Sequence, residues 1–176
     1  MADVPDTLVL KRHRDLEGFY RGAIWIRRGI ILLIALFAAL GLANVFGQRP
    51  SSVSAGGAAA SISLYAPTAL RGGDFMQARF HITAKHDLKK AVLKLDPGWG
   101  EGMSINTIEP APVNETSEDG RLSFELGPIS AGHDFILFMQ FQVNPTNVAW
   151  HRSQNVELDD GTTAIATIKR RITIFP

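Results

Sequence analysis

Four histidines lie in the C-terminal part of the chain, His81, His86, His133 and His151, and with the nearby carboxylates they are the side chains best suited to chemistry. A metal centre needs three or four ligands that converge on one point. His81 and His86 stand five apart across the end of a predicted strand, and no shared element gathers the others. The chain has no cysteine, which removes disulfides, zinc–thiolate centres and thiol nucleophiles from consideration. "GWGEG" at 98–102 is glycine-rich but lacks the lysine and the helix start with which a phosphate loop works. "LDDGT" lacks the carboxylate ladder of a calcium loop and reads as a hairpin turn at Asp159-Asp160-Gly161. Neither a G-x-S-x-G elbow nor an H-E-x-x-H pair occurs. No catalytic residue, cofactor or metal is expected.

Charge narrows the partners. Lysine and arginine number 18 against 17 aspartate and glutamate, and beyond Gly47 the balance is 12 to 13. A nucleic-acid partner requires a concentrated basic face, so none is expected.

The elements that position these residues begin with a membrane signal. Residues 29–47 carry no charge, and their one strongly polar side chain is Asn44 near the far end. Nineteen helical residues span roughly 28 Å, close to the ~30 Å hydrocarbon core of a bilayer. Six basic residues (Lys11, Arg12, Arg14, Arg21, Arg27 and Arg28) precede the run, and only Arg49 lies within twenty residues after Phe46. The positive-inside rule then places residues 1–28 in the cytoplasm as a basic tail and the C-terminal part outside the plasma membrane. "GLA" at 41–43 offers the small residues that a signal peptidase reads. A 28-residue segment before the run is long for a secretory signal, so a permanent signal anchor is expected. Ala35, Ala39, Ala43 and Gly47 fall four apart, a spacing that lets two spans approach and form a homo-oligomer.

Residues 48–60, rich in Ser, Gly and Ala with one Pro, read as a flexible linker. From Ser61 the apolar period becomes two. "FMQARFHITAK" alternates Met76, Ala78, Phe80 and Ile82 with polar residues, and "LKKAVLKLD" alternates Ala91, Leu93 and Leu95 with lysines. "RLSFELG", "FILFMQFQV", "SQNVELDDG" and "TTAIATIKRRITIF" continue the pattern. Seven or eight short strands separated by Gly, Asp and Pro turns, with no helical stretch among them, predict an all-β fold. The expected architecture is an antiparallel immunoglobulin-like β-sandwich over residues 61–176, preceded by one transmembrane α-helix.

"GRLSFELGPISAGHDFILFMQFQVNP" resembles the conserved-repeat, immunoglobulin-like modules of bacterial surface proteins. The wider layout is similar to a group of actinobacterial single-pass membrane proteins of unassigned activity. There "GLANVFGQRP" follows the span, "LDPGW" and "INTIEP" sit mid-domain, "VELDDG" precedes the last strand and "FP" closes the chain. The likeness implies an extracytoplasmic β domain and brings no functional residue with it.

One strand departs from simple alternation. In "FILFMQF" the core positions are Phe135, Leu137, Met139 and Phe141, yet Ile136 and Phe138 on the other face are apolar too. An apolar pair on a face that should be wet marks a candidate contact, or is covered by the irregular stretch 97–120. Trp99 is a third candidate contact, or a plug over one end of the sandwich. The expected role is a membrane-anchored binding or scaffolding module of the bacterial cell envelope. Its partners would be the lipid bilayer and another envelope or membrane protein. An envelope enzyme or small-ligand binder with a pocket near Trp99, Trp150 and His151 is the alternative.

Overall fold

The computed structural model describes residues 11–176, with side chains from residue 22 onward; what sequence suggests for residues 1–10 lies outside the described residues. Two units follow one another, dividing between Val45 and Phe46. In the first, helix α1 runs Lys11–Leu42, and its segment Gly22–Leu42 is long and apolar enough to cross a membrane. At about 1.5 Å per residue those 21 residues measure roughly 31 Å.

The helix has a defined stop. Asn44 adopts a left-handed backbone (φ 53°), its N–H donates to the Gly41 carbonyl at 3.0 Å, and the Val45 N–H reaches back to Leu40 at 3.0 Å. This pair of bonds is the Schellman arrangement, in which a residue able to adopt positive φ ends a helix. The boundaries expected from sequence shift accordingly. The apolar helical segment begins at Gly22 rather than Gly29, and the basic stretch from Lys11 is continuous helix. The row of small residues is shorter as well. Ala35 and Ala39 lie on α1, Ala43 lies just past its end, and Gly47 lies beyond the reversal at Asn44 in the second unit.

The second unit, Phe46–Pro176, is built of strands. In chain order they are β1 (Pro50–Gly56), β2 (Ala60–Pro67), β3 (Ala69–Arg71), β4 (Phe75–Ala84), β5 (Leu88–Leu95), β6 (Met103–Glu109) and β7 (Asn114–Glu118). β8 (Arg121–Ile129), β9 (Asp134–Val143), β10 (Ala149–Ser153), β11 (Val156–Asp160), β12 (Thr163–Ile168) and β13 (Arg171–Phe175) complete them. One five-stranded sheet has the order β1-β2-β4-β9-β6, the other β12-β11-β5-β8-β7, and a three-stranded sheet has β10-β13-β3. Pairing is antiparallel except between β13 and β3. The fold is an antiparallel β-sandwich.

Period-two alternation buries one face of each sheet in a common core. Phe80, Ile82, Leu137, Met139 and Phe141 come from the first sheet, Leu93, Leu95, Phe124 and Leu158 from the second, and Leu70, Ile172 and Ile174 from the third. The strands number thirteen among the described residues, more than the seven or eight expected: β3 and β10 are short additions, and three further differences have physical reasons. Residues 48–60 are not a linker: they contain β1, which pairs along its whole length with β2, from Pro50 opposite Pro67 to Gly56 opposite Ser61. Val53 and Ala55 pack half-buried against the core, and Pro50 takes the first position, where an edge strand tolerates a missing N–H. Secondly, 97–120 is not a cover: after a 3-10 turn at Pro97–Trp99 it holds β6, the short strand that "MSINTIE" leads one to expect, which lies beside β9 in the first sheet, and then the additional β7. Finally, "TTAIATIKRRITIF" is two strands, β12 in one sheet and β13 in another, changing layer at Lys169 and Arg170.

Candidate functional site

The register of the first sheet sets residues from all five strands side by side on its outer face. Ser52 lies opposite Tyr65, Tyr65 opposite Arg79, Arg79 opposite Phe138, and Phe138 opposite Glu109. Directly opposed residues share a face, so these five form one row across the sheet. In the flanking rows Ser63, His81 and Ile136 align on one side, and Gln77, Gln140 and Thr107 on the other. The Arg79 guanidinium stands 5.3 Å from the centre of the Tyr65 ring, within the range of a cation–π contact. Tyr65 and Ile136 are each over two-fifths exposed, and Phe138 is half-buried.

Phe138 is a ridge between two shallow depressions. One, of about 290 Å³, is lined by Tyr65, Arg79, His81 and Ile136 among others. The second, of about 320 Å³, is lined by Gln77, Thr107, Glu109 and Gln140 together with Phe138. At the rim of the first, His81 Nε2 lies 3.4 Å from Asp134 Oδ1. The Asp134 carboxyl is held below its ordinary pKa by a hydrogen bond from Thr83, with His81 adding to the effect.

The outer face of the opposite sheet has another chemistry. Lys90 pairs with Glu125 at 3.0 Å, Lys94 with Asp159 at 2.5 Å, and Arg121 with Glu157 at 3.0 Å and Asp96 at 3.5 Å. Here charge is matched within the sheet, around a buried Asp159 and partly exposed neighbours. The hairpin turn expected at "LDDG" is present, with Gly161 and Thr162 as its loop between β11 and β12; Asp159 and Asp160 end β11, and Asp160 Oδ1 accepts the Lys90 N–H at 2.8 Å. Burial pushes the Asp159 carboxyl above its ordinary pKa and Glu157 adds to the rise, while Lys94 opposes it.

Trp99 requires a correction. It is fully buried, tilted against Phe141 at 5.3 Å and Phe80 at 5.8 Å, and so offers no surface to a partner. Its turn lies tight against the neighbouring strand: a Cβ on Gly98 would overlap the Ser153 carbonyl oxygen, which explains the first glycine of "GWGEG". Arg170, which sequence reasoning did not single out, lies over the ring at 5.2 Å from its centre and donates to the Pro67 carbonyl. Trp150 is instead 73% exposed, edge-on to His151 at 5.0 Å, so Trp99 and Trp150 form no common platform. Among the described residues no three His, Cys, Asp or Glu side chains are grouped to hold a metal ion.

No protein-family model and no curated protein matches the chain. Among solved structures it is similar to the chitin-binding domain of a chitinase from Pyrococcus furiosus, at 12% identity and TM-score 0.38, over 66% of this chain and 100% of that one. It is also similar to CaCohA2 from Clostridium acetobutylicum, at 13% identity and TM-score 0.41, over 60% of this chain and 84% of that one. A third, AvmM, which catalyses macrocyclization in alchivemycin A biosynthesis, has 8% identity and TM-score 0.43, over 74% of this chain and 92% of that one. All three likenesses are distant.

Proposed function

We propose that this chain is a single-pass membrane protein of a bacterial envelope that holds an immunoglobulin-like module outside the plasma membrane to bind another envelope protein. The apolar segment Gly22–Leu42 supports the anchor, and six Lys and Arg up to Arg28, against Arg49 alone within twenty residues after Phe46, support a cytoplasmic N-terminus. The binding surface is the outer face of the first sheet, and the observation that carries it is the row Tyr65, Arg79, Phe138 and Glu109, flanked by Ile136. Tyr and Arg are the residue types that concentrate binding energy at protein interfaces. An apolar ridge between depressions offers a shape for a partner to close over, and the other sheet has its charges paired within itself. A photo-crosslinker at Gln140, on the same face, tests the reading in cells that contain the full chain. The wild-type background captures a discrete envelope protein, and Phe138→Glu lowers that recovery while the purified domain keeps its unfolding midpoint. Equal recovery from both backgrounds removes this face from consideration.

A further inference from the structure

The β domain carries a second surface whose chemistry differs from the sheet face. Phe46 is its first residue, and the Phe46 ring meets Phe175 edge-on at 5.6 Å. Phe175 in turn meets Trp150 at 6.3 Å, also edge-on. Trp150 is 73% exposed, and Val148, two residues before it, is 58% exposed, whereas the exposed Phe75 shares the outer face of the first sheet with Gln77 and Arg79. Gln48 Nε2 donates to the Phe75 carbonyl at 2.6 Å. The exposed Arg71 borders the group, its N–H bonded to Asp74 Oδ2 at 3.1 Å.

Chain connectivity says where these rings must be. If Gly22–Leu42 crosses the ~30 Å hydrocarbon core with Arg27 and Arg28 snorkelling to the inner headgroups, Leu42 stands at the outer boundary and Asn44 among the headgroups. Phe46 follows two residues later, at most ~7 Å along an extended chain. A headgroup layer is about 5–8 Å deep on each side, so Phe46 cannot leave it by much. Phe175 and Trp150 are reached from Phe46 through two ring contacts. Aromatic side chains, Trp above all, favour this layer because it accepts an apolar body beside a polar N–H.

We infer that Phe46, Val148, Trp150 and Phe175 form an aromatic footing by which the β domain rests in the outer headgroup layer of the membrane that α1 crosses. The occupant of this surface is lipid, not a protein. The inference depends on the anchor reading and is independent of the sheet face. Its consequence is that the domain is held by two attachments, one covalent and one interfacial.

The three tryptophans make the test direct. Trp25 lies in the helix, Trp99 in the core and Trp150 in the footing. The full chain is reconstituted into phosphatidylcholine–phosphatidylglycerol vesicles, plain or with acyl chains brominated near the headgroup. Trp25→Phe protein is expected to lose emission in brominated vesicles, and Trp25→Phe/Trp150→Phe protein to show no such loss. Equal emission of Trp25→Phe protein in both vesicles overturns the footing. The wild-type chain checks the anchor separately, through the additional quenching due to Trp25. Absence of that quenching overturns anchor and footing together, whereas Trp25 quenched beside an unquenched Trp150 overturns the footing alone.

Discussion

Arg170 lays its guanidinium 5.2 Å from the centre of the Trp99 ring and donates a hydrogen bond to the Pro67 carbonyl, where the chain leaves one sheet for another. Among the described residues no carboxylate pairs with it, and burial lowers its pKa to about 10. Below pH 10 it is charged folded and unfolded, so the cost of burial is fully present at neutral pH. A depression of this size corresponds to roughly 3 kcal/mol, set against roughly 1–3 for the carbonyl bond and up to about 2 for the ring contact. The terms nearly cancel.

Replacing Arg170 should therefore report packing more than charge. Arg170→Met keeps the aliphatic volume and is expected within about 2 kcal/mol of wild type. Arg170→Ala adds a void above Trp99 and is expected to cost about 3–4 kcal/mol. Urea unfolding of the two variants checks the order, and equal costs would contradict it. Trp99→Ala, which empties the centre of the same stack, is expected to cost about 3–5 kcal/mol.

Asp159 should give the domain a pH-dependent weakness. Its folded pKa lies above the unfolded 3.8, so the unfolded chain releases this proton first as pH rises. The stability it withdraws is absent below pH 3.8, grows as pH climbs through the window up to the folded pKa, and then levels off. Asp159→Asn lacks this term, so its unfolding midpoint relative to wild type should rise between pH 4 and pH 7. A gap that narrows over that window would mean that the Lys94 contact outweighs burial.

A third expectation separates a strand from a linker. Val53 is half-buried and lies opposite Leu64 in the β1–β2 pair. Val53→Asp should destabilise the domain by roughly 1–3 kcal/mol. In an unstructured segment the same change would leave the unfolding midpoint where it was.

Much of this was legible before any coordinates. The alternation in "FILFMQFQV" placed Leu137, Met139, Phe141 and Val143 inward and Ile136 and Phe138 outward, and the structure has them so. β1 escaped because Ser, Ala and Gly give little contrast between faces; what makes it a strand is backbone pairing with β2, which side-chain period does not report. The β12–β13 break escaped for the opposite reason: apolar residues continue on both sides of Lys169 and Arg170, and a change of sheet leaves the period intact. The row on the first sheet depends on register between strands distant in sequence, and a single strand shows only its own member of it. Trp99 could not be placed, because a lone Trp in a glycine-rich turn looks the same as a plug or as a platform.

The folding of β1 also changes how an anchored chain would search for its partner. Thirteen coiled residues, 48–60, would let a tethered module sweep a radius of roughly 20 Å. Pairing along residues 50–56 takes most of that sweep away. For an anchored chain encounter would then be closer to a planar problem, in which a shorter tether restricts the search and lateral diffusion brings surfaces together. Such restriction raises the effective concentration of a partner in the same membrane and excludes one that must be fished from a distance.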